Sequence, residues 1–181
     1  YKESIIPYLD KLSEQAKAIG AVNTVQVIGD KLIGYNTDII GFKQSISPIL
    51  KGRNKALILG DGGAAKAVKL ALEQLKITHK SVSRNTSFKY SDITPQIVEF
   101  NDIIINTTPL GTFPNIDQYP EIPYSYLSEK HLLFDLVYNP EESMFLKYGR
   151  ANNCIIKNGL EMLQIQAEAS WEIWEREVIK Y

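Results

Sequence analysis

The sequence lacks most of the features that assign a protein to a class directly. Its single cysteine, Cys154, excludes an intramolecular disulfide and favours a reducing, cytoplasmic location. No apolar run approaches the ~18 residues that cross a membrane, and no signal peptide opens the chain. The 20 basic and 21 acidic residues nearly cancel, which argues against a nucleic-acid or membrane-surface partner. No cluster of histidine, cysteine and carboxylate residues suggests a metal site.

What is present is a chain of 181 residues that is 44% hydrophobic, enough for one complete domain and part of another. The chain begins with Tyr1 rather than methionine, and a helical pattern starts almost at once. We therefore expect a fragment that lacks most of an N-terminal lobe.

Short apolar strands alternate with helical segments along most of the chain. Strands are predicted at 55–59, 81–83, 103–105, 132–134 and 154–156, and helices at 4–19, 39–50, 64–75 and 160 to about 179. A Gly29-Asp30 link between two β-forming runs, 24–28 and 31–35, predicts a hairpin. Strands that alternate with helices imply an α/β fold with a doubly wound parallel sheet.

A glycine-rich turn joins the first of these strands to the next helix. The turn consists of Gly60, Asp61, Gly62, Gly63, Ala64 and Ala65. It fits the pattern G-x-G-x-x-[GA], in which Gly60 permits the tight turn and Gly62 lets the backbone approach a pyrophosphate. The helix that follows offers free N–H groups to the phosphates. The turn predicts a Rossmann-like dinucleotide site; the alternative is a turn that only packs a helix. Asp61 is unusual, because its carboxylate would repel a pyrophosphate.

The residues after the second strand bear on which dinucleotide binds. A NAD-binding protein carries Asp or Glu about 20 residues beyond the glycine turn, whereas this chain has SRNT at 83–86. Arg84 can clamp and stack on an adenosine 2′-phosphate, and Lys89 adds positive charge nearby. This favours NADP over NAD; the alternative is a solvated surface arginine.

The third strand runs into a polar loop that includes Asn106 and Thr107. Loops at the carboxyl ends of parallel strands line the ligand crevice, so we expect this loop at the nicotinamide-ribose half of the cofactor. An ordinary capped exit from the strand is the alternative.

Two residues near the start of the chain are able to handle a proton. Lys2 precedes the hairpin and Asp38 follows it, at the start of the next predicted helix. On residue type alone, a lysine at such a position is usually an exposed surface residue, and an aspartate before an apolar helix is more often its N-cap, a role that Asp38 can combine with catalysis.

Taken together, the motifs resemble the shikimate dehydrogenase family over nearly the whole chain. The resemblance rests on YK at 1–2, GAVNT at 20–24, NTD at 36–38, the glycine turn, NTTPLG at 106–111, DLVYNP at 135–140 and GLEMLQIQ at 159–166. It implies an oxidoreductase that reversibly reduces 3-dehydroshikimate to shikimate with NADPH, in the shikimate pathway through chorismate to aromatic amino acids. Its partners are then small molecules, and it is a monomer or homodimer.

The resemblance also assigns roles to residues. Lys2 matches the catalytic lysine and Asp38 its catalytic partner. The substrate-binding residues that it implies are Asn23, Tyr138 and Gln166. The cofactor-binding residues that it implies are Gly60, Asp61, Gly62, Gly63 and Ala64 at the pyrophosphate, Arg84 at the adenosine phosphate, and Asn106, Thr107, Leu136 and Gly159 towards the nicotinamide.

The resemblance is incomplete at two places. The asparagine, valine and threonine that open the family's lysine motif are absent, and only the first arginine of its N-R-T-x-x-R motif is present. We expect 1–37 to be the remnant of a substrate lobe, 38–158 the NADP-binding domain, and 159–181 a helix that returns to the substrate lobe. The chain alone is expected to be inactive. Three alternatives stay open: a quinate/shikimate dehydrogenase that uses NAD, a non-catalytic nucleotide-binding module, and a redox-sensing or protein-interaction domain on the same fold.

Overall fold

The computed structural model describes residues 1–84 and 87–175. The strands are β1 (Lys11–Leu12), β2 (Thr24–Ile28), β3 (Lys31–Tyr35), β4 (Lys55–Leu59), β5 (Thr78–Val82), β6 (Ile103–Asn106), β7 (Leu132–Asp135) and β8 (Ile155–Lys157). The α-helices are α1 (Glu14–Ile19), α2 (Asp38–Ile46), α3 (Gly63–Gln74), α4 (Pro95–Phe100), α5 (Met144–Ala151) and α6 (Leu160–Glu175). None of the helices within these ranges has the length and hydropathy that a bilayer crossing requires.

The larger sheet contains five parallel strands in the order β5-β4-β6-β7-β8. Its central strands are apolar at nearly every position, as in the run from Ile103 to Ile105, because both faces of a parallel sheet are covered by helices. All five strands lie within a few residues of their predicted positions. The predicted α/β fold with a parallel sheet is confirmed.

Successive residues of one strand face two different cores, which shows that the sheet is doubly wound. Ala56 and Ile58 of β4 pack in a cluster with α2 and α3, whereas Leu57 and Leu59 pack in a second cluster with α4 and α5. The two faces of the sheet are therefore both buried, and each needs its own layer of helices.

The strand order reverses beside β4. The chain passes from β4 to β5 on one side and then crosses over to β6 on the other side. The loops that leave β4 and β6 consequently run in opposite directions and open a crevice at the carboxyl ends of these strands. This topological switch point is where open α/β sheets bind their ligands.

A smaller three-stranded sheet, in the order β1-β3-β2, contains the predicted hairpin. The helix predicted over 4–19 is wrong in its first half. Residues Ile6–Tyr8 form a 3₁₀ helix, and β1 pairs in parallel with β3 before α1 begins. The Asp10 carboxylate accepts a hydrogen bond from the backbone N–H of Leu32, and Ser13 caps α1. Pairing with β3 therefore overrides the local helical spacing.

The last helix, α6, returns along α2 to the hairpin. The Trp174 indole N–H donates to the Val25 carbonyl over 2.9 Å, and the Gln26 amide donates to the Ile173 carbonyl over 2.5 Å. The predicted continuation of this helix to about 179, including Val178, lies outside the described residues. Within them, the helix links the end of the chain to its beginning.

Gly41 lets α2 and α6 approach closely. A Cβ atom placed there would lie 2.5 Å from the backbone oxygen of Met162 and 3.1 Å from the Cβ of Gln166. We predict that Gly41→Ala lowers the free energy of unfolding by about 1 kcal/mol or more, even after the ~1 kcal/mol that alanine gains in helix propensity.

Chemical denaturation measures this effect. Gly63→Ala is a matched control, because a Cβ at Gly63 meets no atom within 4 Å, and it should leave the unfolding free energy unchanged or raise it by up to the ~1 kcal/mol of helix propensity. A Gly41→Ala protein at least as stable as the wild type would contradict the close approach.

Candidate active site

The carboxylate of Asp38 is held at the first turn of α2 by the backbone before it. The Asp38 N–H donates to the Asn36 side-chain oxygen over 3.1 Å, and the Asn36 amide donates to the Ala21 carbonyl over 3.1 Å. Asn36 is buried, so this turn is fixed from inside the protein. Asp38 thereby has a defined direction at the amino end of a helix, where a negative charge is stabilised.

Lys2 and Asp38 form an ion pair. The Lys2 Nζ lies 2.6 Å from the Asp38 Oδ2, with the lysine side chain 48% exposed and that of the aspartate 11%. The Lys2 carbonyl also accepts a hydrogen bond from the Val22 N–H over 2.8 Å. The lysine is therefore anchored at its backbone and its ammonium while part of it still faces solvent.

Two side-chain amides adjoin the ion pair. The Asn23 Nδ2 lies 2.9 Å from the Asp38 Oδ1, 2.9 Å from the Thr37 Oγ1 and 3.3 Å from the Gln166 Oε1. Its two hydrogens are thus shared among three acceptors. The Asn23 Oδ1 accepts from the Thr37 N–H over 2.9 Å, which fixes the orientation of the amide. The structure therefore brings together Lys2, Asn23, Asp38 and Gln166, which the sequence predicted as site residues.

A layer of buried hydroxyl groups supports this cluster from beneath. The Ser170 Oγ lies 2.7 Å from the Thr24 Oγ1 and 3.0 Å from the Thr37 Oγ1, and all three residues are buried. Sequence reasoning missed Ser170. It lies one helical turn beyond Gln166, so the i, i+4 spacing was the signal that placed both side chains on one face.

The segment that carries Lys2 is tied to the helix after the glycine turn. The Glu3 carboxylate lies 2.7 Å from the Lys66 Nζ, and this contact lowers the pKa of Glu3. Lys66 lies in the first turns of α3. The ion pair is exposed and is therefore weak. It nevertheless shows that the Lys2 segment and the glycine turn are neighbours in the fold.

The crevice at the switch point contains a cavity of about 850 Å³. Predicted site residues that line it are Gly60, Asp61, Gly62, Arg84 and Thr107, and the other wall is formed by a loop over 117–121. Gly60 has a φ of +113°, and a Cβ there would lie 2.6 Å from the Thr107 Oγ1. Glycine is therefore required where the turn meets the loop that follows β6.

The amino end of α3 is open towards this cavity. Its N-cap residue is Gly62, which has no side chain with which to cap the helix, and a Cβ at Gly62 or Gly63 would meet no atom within 4 Å. The first N–H groups of α3, beginning with Gly63 and Ala64, thus have space in front of them. Such an arrangement suits a phosphate group.

One end of the cavity lies beside the residues that follow β5. Arg84 lines the cavity just after β5, beside Tyr90, and its positive charge acts to lower a Tyr90 pKa that burial raises. The next two residues of the SRNT segment, 85 and 86, lie outside the described residues. Of this segment, Ser83 and Arg84 line the cavity.

Asn106 lies beneath the cavity wall rather than in it. It is fully buried, its amide donates to the Asp135 Oδ1 over 2.9 Å, and its oxygen accepts from the N–H and hydroxyl of Thr108. The Thr107 hydroxyl donates to the Leu59 carbonyl over 2.8 Å. The side chain of Asn106 thus shapes the loop, and Thr107 is the residue of the pair that lines the cavity.

Asp135 is a buried carboxylate at the end of β7. It accepts hydrogen bonds from Asn106, from the Val137 N–H over 3.0 Å and from the Ser143 hydroxyl. Burial raises the pKa of Asp135 to about 6, against the opposing effect of these hydrogen bonds. It joins the loops that follow β6 and β7, and so fixes one side of the crevice.

Leu136 and Gly159 are brought into direct contact. A Cβ at Gly159 would overlap the Leu136 carbonyl oxygen, so only glycine permits this approach. Tyr138 lies on the same segment as Leu136, with 49% of its surface exposed. Neither the cavity lining nor the hydrogen-bonded cluster around Asp38 includes Tyr138 among the described residues.

Comparison with known proteins agrees with this geometry. The model of the shikimate dehydrogenase substrate binding domain matches residues 1–25. A curated relative from Methanococcus maripaludis, "Shikimate dehydrogenase (NADP(+))", is 41% identical over 194 residues, which cover 96% of this chain and 69% of the relative. The chain belongs to the shikimate dehydrogenase family.

Solved structures of shikimate dehydrogenases have the same fold. A chorismate mutase/shikimate 5-dehydrogenase fusion protein from Clostridium acetobutylicum superposes with a TM-score of 0.86 at 34% identity, covering 99% of this chain and 71% of that one. A shikimate 5-dehydrogenase from Thermus thermophilus, in complex with NADP(H) and shikimate, gives 0.85 at 28% identity, covering 96% and 69%. The predicted family is confirmed, and the chain spans about 69% of the length of such relatives.

Residues 1–84 and 87–175 contain no group of three or more histidine, cysteine, aspartate or glutamate residues arranged to hold a metal ion.

The raised pKa of Asp135 predicts a pH effect on stability. An unfolded aspartate has a pKa near 3.9, so between about pH 4 and pH 6 only the folded protein keeps the Asp135 proton. The contribution of this proton to the unfolding free energy therefore falls as pH rises through that range, by about 2–3 kcal/mol in total.

Asp135→Asn removes this titration but can keep the three hydrogen bonds, since an amide both accepts and donates. We expect the wild type to lose stability relative to the variant between pH 4 and pH 6.5 in urea unfolding curves. Asp30→Asn, at an exposed turn, serves as control. Wild-type and Asp135→Asn curves that stay parallel across this range would show that Asp135 does not titrate there.

Proposed function

We propose that this chain carries the active site of a shikimate dehydrogenase, which reversibly reduces 3-dehydroshikimate to shikimate with NADPH. The observation that carries this proposal is the cluster of Lys2, Asp38, Asn23 and Gln166. It is connected through Glu3 and Lys66 to the helix that begins at the glycine turn. In this proposal a proton donor, a carboxylate and two amides act together with a dinucleotide held in the cavity.

The residues at the cavity fit NADP. The glycine turn leaves the backbone open where a pyrophosphate would lie, and the N–H groups of α3 would hold it. Arg84 would bind the adenosine 2′-phosphate, and Thr107 would adjoin the ribose of the nicotinamide half. Leu136 and Gly159 would flank the nicotinamide. The bound nicotinamide supplies the hydride, and the chain supplies orientation and the proton.

Lys2 would handle the proton. During reduction its ammonium gives a proton to the new alkoxide oxygen, and during oxidation the neutral amine takes the proton from the hydroxyl group. Asp38, whose Oδ2 lies 2.6 Å from the Lys2 Nζ, holds the ammonium in place through this ion pair. Its second oxygen, which accepts from Asn23, is positioned to accept from a substrate hydroxyl as well.

The amides suit a polyhydroxylated ring. Asn23 and Gln166 can each donate and accept hydrogen bonds, so they can bind hydroxyl groups whatever their orientation. Their polar atoms are shared among themselves, Thr37 and Asp38, and a substrate hydroxyl can take over one of these hydrogen bonds. Tyr138, exposed on the segment next to Leu136, would contribute its phenol to the substrate.

The organisation proposed for the chain follows from these contacts. In this proposal residues 1–37 belong to the substrate lobe, 38–158 to the NADP-binding domain, and 159–181, of which the structure describes 159–175, to the segment that returns to the substrate lobe. The hydrogen bonds of α6 to β2 and the family match over 1–25 support this division. We further propose a cytoplasmic enzyme, supported by the unpaired Cys154, that is a monomer or homodimer.

Cofactor choice is the first test. We predict that calorimetric titration of the chain gives tighter binding of NADPH than of NADH. Arg84→Gln should weaken NADPH about five- to tenfold and leave NADH unchanged, because only NADPH carries the 2′-phosphate. Equal binding of the two nucleotides by the wild type would favour the NAD-using alternative, and binding of neither would remove the cofactor from the proposal.

Proton transfer is the second test. In this chain extended to the full length of its relatives, we predict that Lys2→Met lowers kcat about 10²–10⁴-fold, the usual range for a lost acid–base group. Asp38→Asn should also lower kcat, since it removes the charge that holds the lysine. Tight NADPH binding in both variants would separate this loss from misfolding. Unchanged kcat in Lys2→Met would exclude Lys2 as the proton donor.

A further inference from the structure

The glycine turn carries a negative charge at the place where a diphosphate should bind. Asp61 stands between Gly60 and Gly62, and it lines the cavity together with Thr107. The open N–H groups of α3 begin two residues later. A carboxylate here is a second anion in an anion site, so on its own it would weaken dinucleotide binding.

The structure supplies a partner for this carboxylate. The ammonium of Lys69, two turns into α3, forms an ion pair with the Asp61 Oδ1. The side chains are 28% and 36% exposed, so the pair lies at the rim of the cavity rather than fully in solvent. Because Lys69 is on a rigid helix and Asp61 in the turn before it, the fold itself keeps the two charges together.

We propose that Lys69 is a cofactor-affinity residue, which cancels the charge of Asp61 and so keeps the glycine turn able to accept a diphosphate. This inference rests on the proposed binding of NADP. It goes beyond that function by assigning a role to a lysine outside the glycine motif. It also accounts for a carboxylate that the motif alone leaves unexplained.

A competing interpretation makes the pair purely structural. A carboxylate just before a helix stabilises the amino end of that helix, and Lys69 would then be an incidental neighbour. The two interpretations differ in what they predict. Charge cancellation predicts a change in nucleotide affinity, whereas helix stabilisation predicts a change in unfolding free energy with the affinity unaltered.

Charge cancellation also has a recognisable pattern across ligands. NADPH and NADH share the pyrophosphate, so loss of Lys69 should weaken the binding of both by the same factor. Loss of Arg84 should weaken the binding of NADPH alone. The Lys69 effect should diminish as salt is added, because ions screen the interaction of a partly exposed carboxylate with the phosphates.

The experiment is a titration of the chain with NADPH and with NADH at low salt. We expect Lys69→Gln to raise both dissociation constants about three- to tenfold. Lys69→Arg should retain wild-type affinity, and Asp61→Asn should bind at least as tightly as the wild type. The double variant Lys69→Gln/Asp61→Asn should return to the affinity of Asp61→Asn, because no charge is then left to cancel.

Lys130→Gln is the matched control. It removes the same charge from an exposed residue just before β7, at the opposite end of the sheet from the cavity. Affinity in Lys69→Gln equal to that in Lys130→Gln would overturn the inference. A double variant that binds the nucleotides as weakly as Lys69→Gln would also overturn it. Failure of the wild type to bind either nucleotide would instead overturn the proposed function, and this inference with it.

Discussion

A single carboxylate, that of Asp38, receives hydrogen bonds from two segments that reach it from different parts of the fold. Lys2 lies near the start of the chain, and Asn23 is the residue just before the hairpin. Asp38 itself lies in the first turn of α2. A carboxylate with so little exposed surface needs such partners, because an unpaired charge there is costly. The cluster therefore exists only where the N-terminal segment, the hairpin and α2 are all in place.

Helix α2 connects this carboxylate to the rest of the molecule. One part of its surface packs in the same core as α3, which starts at the glycine turn. Another part meets α6 at Gly41, where the backbones come close enough to leave no room for a methyl group. The position of Asp38 relative to the cavity and to Gln166 is consequently set by packed helices rather than by loops.

Much of the fold was predictable because local pattern and tertiary environment agree. The strands of the large sheet are apolar throughout, which the sequence displays directly, and the Gly29-Asp30 turn marks the hairpin. The two-residue β1 was not predictable, since it depends on pairing with β3, some 22 residues further along the chain. A strand of two residues is defined by its pairing with the neighbouring strand rather than by its own sequence.

The candidate site was likewise predictable only in part. Motif resemblance identified Lys2, Asn23, Asp38 and Gln166, and the structure unites them. The motif resemblance did not reveal that the Asn106 side chain points into the protein, where its amide donates a hydrogen bond to the buried Asp135. Likewise, the ion pair between Asp61 and Lys69 depends on the direction in which α3 leaves the glycine turn, and it has no sequence signature of its own.

The two amides of the cluster around Asp38, those of Asn23 and Gln166, come from distant parts of the chain, 143 residues apart. A chain emerging from the ribosome has β4, β5 and β6, and with them most of the cavity walls, long before α6 is made. The cavity walls and the cluster around Asp38 are therefore completed at different times during synthesis. Contacts between distant parts of a chain are also those with the greatest cost of loop closure. The cluster around Asp38 is therefore expected to form after the cavity walls.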